Sequence, residues 1–149
     1  KFLKKNLKNK IVFNINLNSS SYLPNWRKID YKKSVSSKRI LGGGVLVHQF
    51  TNIGEHSLIG GGFRVVQDVP PFIIAANHPL AYKGVNLIGL KRRGFSKEDT
   101  SLIKKVYKIF FRSGLNRNDA IKKIELELPK SKVIRSILDF INDSSRGII

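Results

Sequence analysis

The run Leu41-Gly42-Gly43-Gly44-Val45-Leu46-Val47-His48-Gln49-Phe50-Thr51-Asn52-Ile53-Gly54-Glu55-His56-Ser57-Leu58-Ile59-Gly60-Gly61-Gly62-Phe63-Arg64-Val65-Val66-Gln67-Asp68-Val69 decides the fold of this 149-residue chain. A branched aliphatic residue returns at every sixth position, as Leu41, Val47, Ile53, Ile59 and Val65, and glycine follows it at Gly42, Gly54 and Gly60. An α-helix repeats near 3.6 residues and a strand alternates at two, so neither element explains a period of six. The period fits a parallel β-helix, in which each hexad makes one short strand and its turn. The aliphatic side chain then points into the prism, and glycine or another small residue takes the corner. A Gly-rich loop between two strands is the alternative, but it would not need the aliphatic spacing.

Beyond the hexads, Asp68-Val69-Pro70-Pro71-Phe72 places two residues without N–H donors in succession. The strand ladder is therefore expected to end there. Residues 73–89 read as an irregular, mostly apolar excursion containing Asn77-His78-Pro79 and Asn86. The last third reads as helical. Ser96 followed by Asp99 resembles a capping box, and Leu102, Val106, Ile109 and Phe110 continue at helical spacing, with Gly114 as the stop. A second helix is expected to start near Asn116 or Asn118, run through Ile121 and Ile124 and stop before Pro129. A third starts at Ser131 and buries Val133, Ile134, Ile137, Leu138 and Ile141. Short links between them favour antiparallel neighbours, hence a small helical bundle capping the prism.

Before the hexads the composition changes abruptly. Residues 1–10 form a basic arm, and Ile11-Val12-Phe13-Asn14-Ile15-Asn16-Leu17-Asn18 alternates apolar and polar residues as a strand does. Residues 19–39 are rich in Ser, Lys and Tyr, with Pro24 and Asn25 suggesting a turn. The expected organisation is thus a basic arm over 1–39, β-helical coils over 40–71 and a helical domain over 72–149.

Composition narrows the function classes. The chain has no cysteine, which excludes a disulfide framework, a thiolate nucleophile and a Cys-ligated metal. It has no apolar run long enough to cross a bilayer and no secretory signal, which points to the cytoplasm. The net charge of +18 is uneven. Residues 1–40 hold eleven Lys/Arg against one acid, residues 41–90 two of each, and residues 91–149 fifteen against seven. Such an excess allows a nucleic-acid binder, but the lysines follow no single face, and a solvated lysine-rich surface is the preferred reading. No nucleic-acid partner is expected; an acidic partner is favoured.

Six runs now carry a family resemblance: Val47-His48-Gln49-Phe50, Ile53-Gly54-Glu55-His56, Asp68-Val69-Pro70-Pro71-Phe72, Gly84-Val85-Asn86, Gly89-Leu90-Lys91-Arg92-Arg93-Gly94-Phe95 and Ser145-Arg146-Gly147. From Ile40 onward the chain resembles the acyl-carrier-protein–UDP-N-acetylglucosamine O-acyltransferases of lipid A synthesis. The hexads are shared with many acyl- and acetyltransferases, whereas the Gly-Leu-Lys-Arg-Arg-Gly-Phe run is far more specific. The resemblance implies a left-handed parallel β-helix with a C-terminal helical bundle, assembled as a homotrimer along the prism sides. It implies transfer of a 3-hydroxyacyl chain from acyl carrier protein to the glucosamine 3-hydroxyl of UDP-N-acetylglucosamine, in clefts between subunits. That chemistry needs a general base and an oxyanion donor, and no metal or cofactor is expected.

The resemblance also implies residue roles. His48 would line the cleft near the substrate diphosphate and Gln49 would contact the sugar. Asn86, Arg92 and Arg93 match residues that hold uridine and phosphate, a task that suits the bidentate guanidinium fork. Gly61 matches the position where side-chain size limits acyl length, and His78 lies near a histidine that closes the acyl pocket. Plainer readings stand beside these. Asn86 would cap a turn, Arg92 and Arg93 would be solvated charge, Gly61 would be one more corner glycine, and His56 is left out as an exposed corner residue.

Two features depart from the family pattern. The Asn-x-His-x-x-His motif that carries the family's catalytic histidine falls, counted back without gaps, near Phe13, where no histidine stands. The glycine-histidine pair supplying the oxyanion donor is also absent. No catalytic base is therefore assigned, and His48 is the nearest candidate. The acidic residue expected two positions after Asn86 is Ile88. With no methionine and a foreign-looking 1–39, the chain is expected to be a truncated or frame-shifted form of such an enzyme. A non-catalytic UDP-sugar-binding remnant and a basic nucleic-acid-binding protein are the rival functions.

Overall fold

A computed structural model describes residues 38–149 of the chain. The expected strand at residues 11–17, and all of the basic arm but its last two residues, lie outside the described residues.

The hexads wind into stacked parallel coils. Strand β1 (Ile40–Leu41) pairs in parallel with β3 (Leu58–Ile59), and β2 (Leu46–Val47) with β4 (Arg64–Val65). Both pairings are offset by eighteen residues, so three hexads complete one turn of the prism. The third face is a single parallel bridge between Ile53 and Val69. Ile53, Ile59 and Val65 point inward with at most 1% exposure, as the period requires. Val47 departs from this, at 43% exposed, and Leu41 is only half-buried. Among the described residues β1 and β2 pair on one edge only, so those two side chains are less covered than their successors, although Leu41 still packs against the core.

The corners explain the glycines. A Cβ on Gly42 would lie 2.4 Å from the Gly61 nitrogen, and one on Gly54 would lie 2.2 Å from the Pro71 nitrogen. Stacked turns approach too closely there for any side chain. Left-handed residues also stack: Gly44 on Gly62, and His56 (φ 59°) on Phe72 (φ 67°).

The prolines do not end the ladder. Pro70 and Pro71 occupy a corner, where an N–H is not needed, and pairing resumes beyond them. The Phe72 N–H donates to the Glu55 carbonyl at 2.9 Å, and β5 (Ile73–Ala76) pairs in parallel with β3. Here the offset is sixteen residues, because only three residues separate Val65 from Val69 where five separate Val47 from Ile53. Strand β6 (Ala81–Val85) then returns antiparallel to β5. Residues 73–89 are thus a hairpin followed by a helix rather than an irregular excursion. Alternation of the small residues Ala75, Ala76 and Ala81 carries little β signal, which is why the strands escape sequence reading.

Four helices follow. Helix α1 (Leu87–Arg92) begins directly after β6 on an Asn86 cap. Helix α2 (Lys97–Arg112) starts on Ser96, whose Oγ accepts from the Asp99 N–H at 2.9 Å, and Gly114 follows its C-cap at φ 71°. Its buried residues are Ile103, Val106 and Tyr107; Leu102, Ile109 and Phe110 flank them. Helix α3 (Arg117–Glu127) uses Asn116 as its cap, and α4 (Lys132–Asp143) uses Ser131 and buries all five expected residues. Helix α2 packs on β6, α3 and α4, joining the helices to the prism in one core. At the junction the Tyr107 hydroxyl donates to the Pro71 carbonyl at 2.5 Å. Burial, with Tyr82 alongside, pushes that phenol well above its ordinary range and keeps it a donor. No helix among the described residues is long and apolar enough to cross a membrane.

Candidate functional site

The structure gathers Asn86, Arg93 and a residue that sequence reasoning set aside, His56. Asn86 is 2% exposed and both ends of its amide are engaged. Its Oδ1 accepts from the Gly89 N–H at 3.1 Å, capping α1, and its Nδ2 donates to the His56 carbonyl at 2.9 Å. The cap reading of Asn86 is therefore satisfied, and the same amide ties α1 to the coil corner. Gly89 is required by this arrangement, since a Cβ there would lie 2.4 Å from Asn86 Nδ2.

His56 is buried at 5% exposure, not an exposed corner residue. Its ring stacks on Phe72 at 5.6 Å and meets the Phe95 edge at 4.9 Å. Arg93 Nη1 approaches His56 Nδ1 at 3.0 Å. A guanidinium can only donate, so the contact makes Nδ1 the acceptor and places the ring proton on Nε2. Nε2 lies 3.8 Å from a Glu55 carboxylate oxygen. Burial foremost, then the Arg93 charge, depress the imidazole pKa, with Glu55 opposing and Lys38 adding slightly. The Arg39 guanidinium donates from Nε to the Gly54 carbonyl at 3.2 Å, and burial, opposed by the Glu55 charge, lowers it to about 10.

Nothing in the local sequence announces His56. Glu55-His56 looks like a polar corner, and the partners that bury it, Phe72, Phe95 and Arg93, are supplied from much later in the chain.

Arg92 is exposed in the last turn of α1, and its side chain makes no hydrogen bond or ion pair with another described residue. His48 and Gln49 stand on the longer corner between β2 and the Ile53 bridge. That corner is held by Thr51, whose Oγ1 donates to the His48 carbonyl at 2.6 Å, and by the His48 N–H donating to the Val65 carbonyl at 2.8 Å. His48 Nδ1 lies 3.0 Å from the Gln49 carbonyl. A carbonyl only accepts, so this contact puts the proton on Nδ1 and leaves Nε2 basic. Within one chain His48 and Gln49 do not touch Asn86, Arg92 or Arg93.

Gly61 lies on the exposed turn between β3 and β4, where a Cβ would sit 3.1 Å from the Gly43 carbonyl. His78, exposed at the β5–β6 turn, meets the Phe63 ring at 5.1 Å, and Phe63 in turn covers Gly60. Phe63 therefore links His78 to Gly60, the chain neighbour of Gly61. A groove of about 870 Å³ between α3 and α4, lined by Ile124, Leu128, Pro129 and Leu138, reaches none of the expected site residues. Among the described residues no cluster of His, Asp and Glu has the makings of a metal site.

Three-hexad parallel coils, capped at the C-terminal end by helices and carrying polar residues on their corners, define a hexapeptide-repeat β-helix protein. The family described as UDP-N-acetylglucosamine O-acyltransferase, domain 2, matches residues 68–149. This chain belongs to that family. An acyl-[acyl-carrier-protein]–UDP-N-acetylglucosamine O-acyltransferase of Aliivibrio salmonicida is 44% identical over 103 residues, covering 69% of this chain and 39% of the relative. One from Burkholderia mallei is 41% identical over 116 residues, covering 74% and 44%. Among solved structures, a UDP-N-acetylglucosamine acyltransferase from Bacteroides fragilis superposes with a TM-score of 0.74 at 49% identity, covering 75% of this chain and 44% of that one. The Arabidopsis enzyme gives 0.70 at 30%, covering 75% and 42%. The chain thus spans about two fifths of the length of the relatives it matches.

Proposed function

We propose that this chain carries the C-terminal part of an acyltransferase that moves a 3-hydroxyacyl chain from acyl carrier protein to the 3-hydroxyl of UDP-N-acetylglucosamine, the first step of lipid A biosynthesis. The observation that carries this reading is the arginine pair at the C-terminal end of α1 in a member of this family. Asn86 buries the start of the helix, Arg93 is tied to a neutral histidine, and Arg92 is left unpaired at the surface. A helix so anchored presents a fixed cation to a diphosphate. In this reading Arg92, Arg93 and Asn86 form the nucleotide side of the site. His48 and Gln49 face the sugar diphosphate, and Gly61 and His78 flank the acyl chain. The coils wind left-handed and the protein works in the cytoplasm as a homotrimer. The separation of His48 from Arg93 within one chain supports a cleft completed by a neighbouring subunit.

The chemistry is one acyl transfer. A base takes the proton of the sugar 3-hydroxyl, the oxygen attacks the thioester carbonyl, and the carbon–sulfur bond breaks. The departing thiolate of the carrier then recovers a proton. The base is not assigned to a residue of this chain. His48, with its proton held on Nδ1 by the Gln49 carbonyl, is the nearest candidate because Nε2 is free to accept.

Titration calorimetry with UDP-N-acetylglucosamine tests the nucleotide site. Arg92→Ala is expected to weaken binding by roughly 1.5–3 kcal/mol, the worth of a charge-assisted contact. Unchanged affinity would remove Arg92 from the site. A turnover assay with 3-hydroxyacyl carrier protein separates an active enzyme from a sugar-nucleotide-binding remnant. If turnover is seen, His48→Ala should abolish it.

A further inference from the structure

His56 stands where a corner residue is costly. It holds φ 59°, a conformation that side chains other than glycine rarely take, and it puts a buried polar ring between two phenylalanines. Its stacked neighbour Phe72 shows that an apolar ring fits the same left-handed corner. What distinguishes the imidazole from such a ring is Nδ1, 3.0 Å from Arg93 Nη1.

We propose that His56 is a positioning residue for the sugar nucleotide: its neutral imidazole accepts an Arg93 N–H at Nδ1 and fixes the guanidinium in the orientation that meets the diphosphate. This rests on the nucleotide site proposed above. The backbone is fixed from the other side, because the His56 carbonyl receives the Asn86 amide that also caps α1. One corner residue therefore sets both the helix and the direction of the side chain at its C-cap. The mechanism requires the neutral ring. Protonation places a hydrogen on Nδ1, removes the acceptor and sets two cations against each other. The groups facing the ring are Arg93, Glu55 and Lys38, and Glu55 also feels the Arg39 charge. Burial and Arg93 lower the imidazole pKa, so the competent form persists throughout neutral pH and is lost only as pH falls through the depressed value.

Two substitutions separate positioning from filling space. His56→Phe keeps a ring between Phe72 and Phe95 but has no acceptor. His56→Asn places Oδ1 where Nδ1 stood, tolerates positive φ, and does not titrate. Affinity for UDP-N-acetylglucosamine is measured by calorimetry on the full chain from acid to mildly alkaline pH. The ligand's diphosphate is a diester and does not titrate in that range. The unsubstituted protein should bind evenly at neutral pH and lose affinity on the acid side. His56→Phe should bind about tenfold more weakly at neutral pH. His56→Asn should bind within about twofold of the unsubstituted protein and lack its acid-side fall. Equal affinity in His56→Phe, or an acid-side fall that survives in His56→Asn, overturns the proposal alone. No binding by the unsubstituted protein at any pH overturns the nucleotide-site reading, and this proposal with it.

Discussion

Asp68 has no exposed surface, and its two carboxylate oxygens hold the prism to the C-terminus. One receives the Asn52 N–H at 2.6 Å and the other the Ser144 hydroxyl at 2.7 Å. Its backbone continues the link: the Asp68 N–H donates to the Gly147 carbonyl, and the Asp68 carbonyl receives the Ile149 N–H. Removing the side chain would leave two buried donors without acceptors, and each such loss costs about 1–3 kcal/mol. Asp68→Ala is therefore expected to destabilise the protein by roughly 2–4 kcal/mol in urea unfolding. Asp68→Asn should cost clearly less, because Oδ1 still accepts from Asn52 and Nδ2 can donate to a rotated Ser144 hydroxyl. Equal losses for the two would show that charge, and not hydrogen-bond number, governs the junction. The sequence hints at none of this, since Asp68-Val69-Pro70 reads as an ordinary exposed exit from a strand.

At the scale of elements, helix ends are where sequence and structure meet most directly. Ser96, Asn116 and Ser131 each receive an N–H from the third residue after them, so the cap chemistry visible in the chain is the chemistry used. The C-terminal end of α4 is different, because its cap comes from another helix. Arg117 crosses from the start of α3 and donates to the Ile141, Asn142 and Ser144 carbonyls. A cation there meets the negative end of the helix dipole and satisfies carbonyls that the helix leaves unpaired. Arg117→Met keeps the aliphatic stem and removes the fork. It is expected to cost about 1–2 kcal/mol, seen as a lower Tm and faster amide exchange in the last turn of α4. An unchanged Tm would mean that water caps the helix equally well.

At the scale of the molecule, the prism shows an apolar side. Leu46 (67% exposed), Phe50 (68%) and Val66 (40%) lie along and beside the β2–β4 pairing. This is the kind of surface that a subunit contact covers. Among the described residues the prism is short, against the roughly 1,200–2,000 Å² that stable interfaces usually bury. Association is therefore expected to depend on concentration: light scattering over a dilution series should show dissociation towards monomer. Phe50→Asp should shift the series further to monomer. A sharp trimer mass persisting at low nanomolar concentration would show that this short prism suffices.

The sequence by itself determined the coil. A hexad period with glycine corners calls for one short strand per hexad, and the eighteen-residue offset between β1 and β3 then sets three hexads to the turn. It also determined three of the four helices, because caps and apolar stripes are local signals. Tertiary structure decided the rest. The second coil closes in sixteen residues because the corner before Val69 is two residues shorter, and a pairing partner must be present before that register can be read. The prolines lie on a corner and not within a strand, so the sheet continues into β5 and β6. Helix α1, six residues long and carrying Gly89 in its first turn, is held by the Asn86 cap and by packing more than by propensity. His56 became a buried partner of Arg93 only when Phe72 and Phe95 closed over it. Burial is a property of contacts between distant segments, and no spacing within Glu55-His56 encodes it.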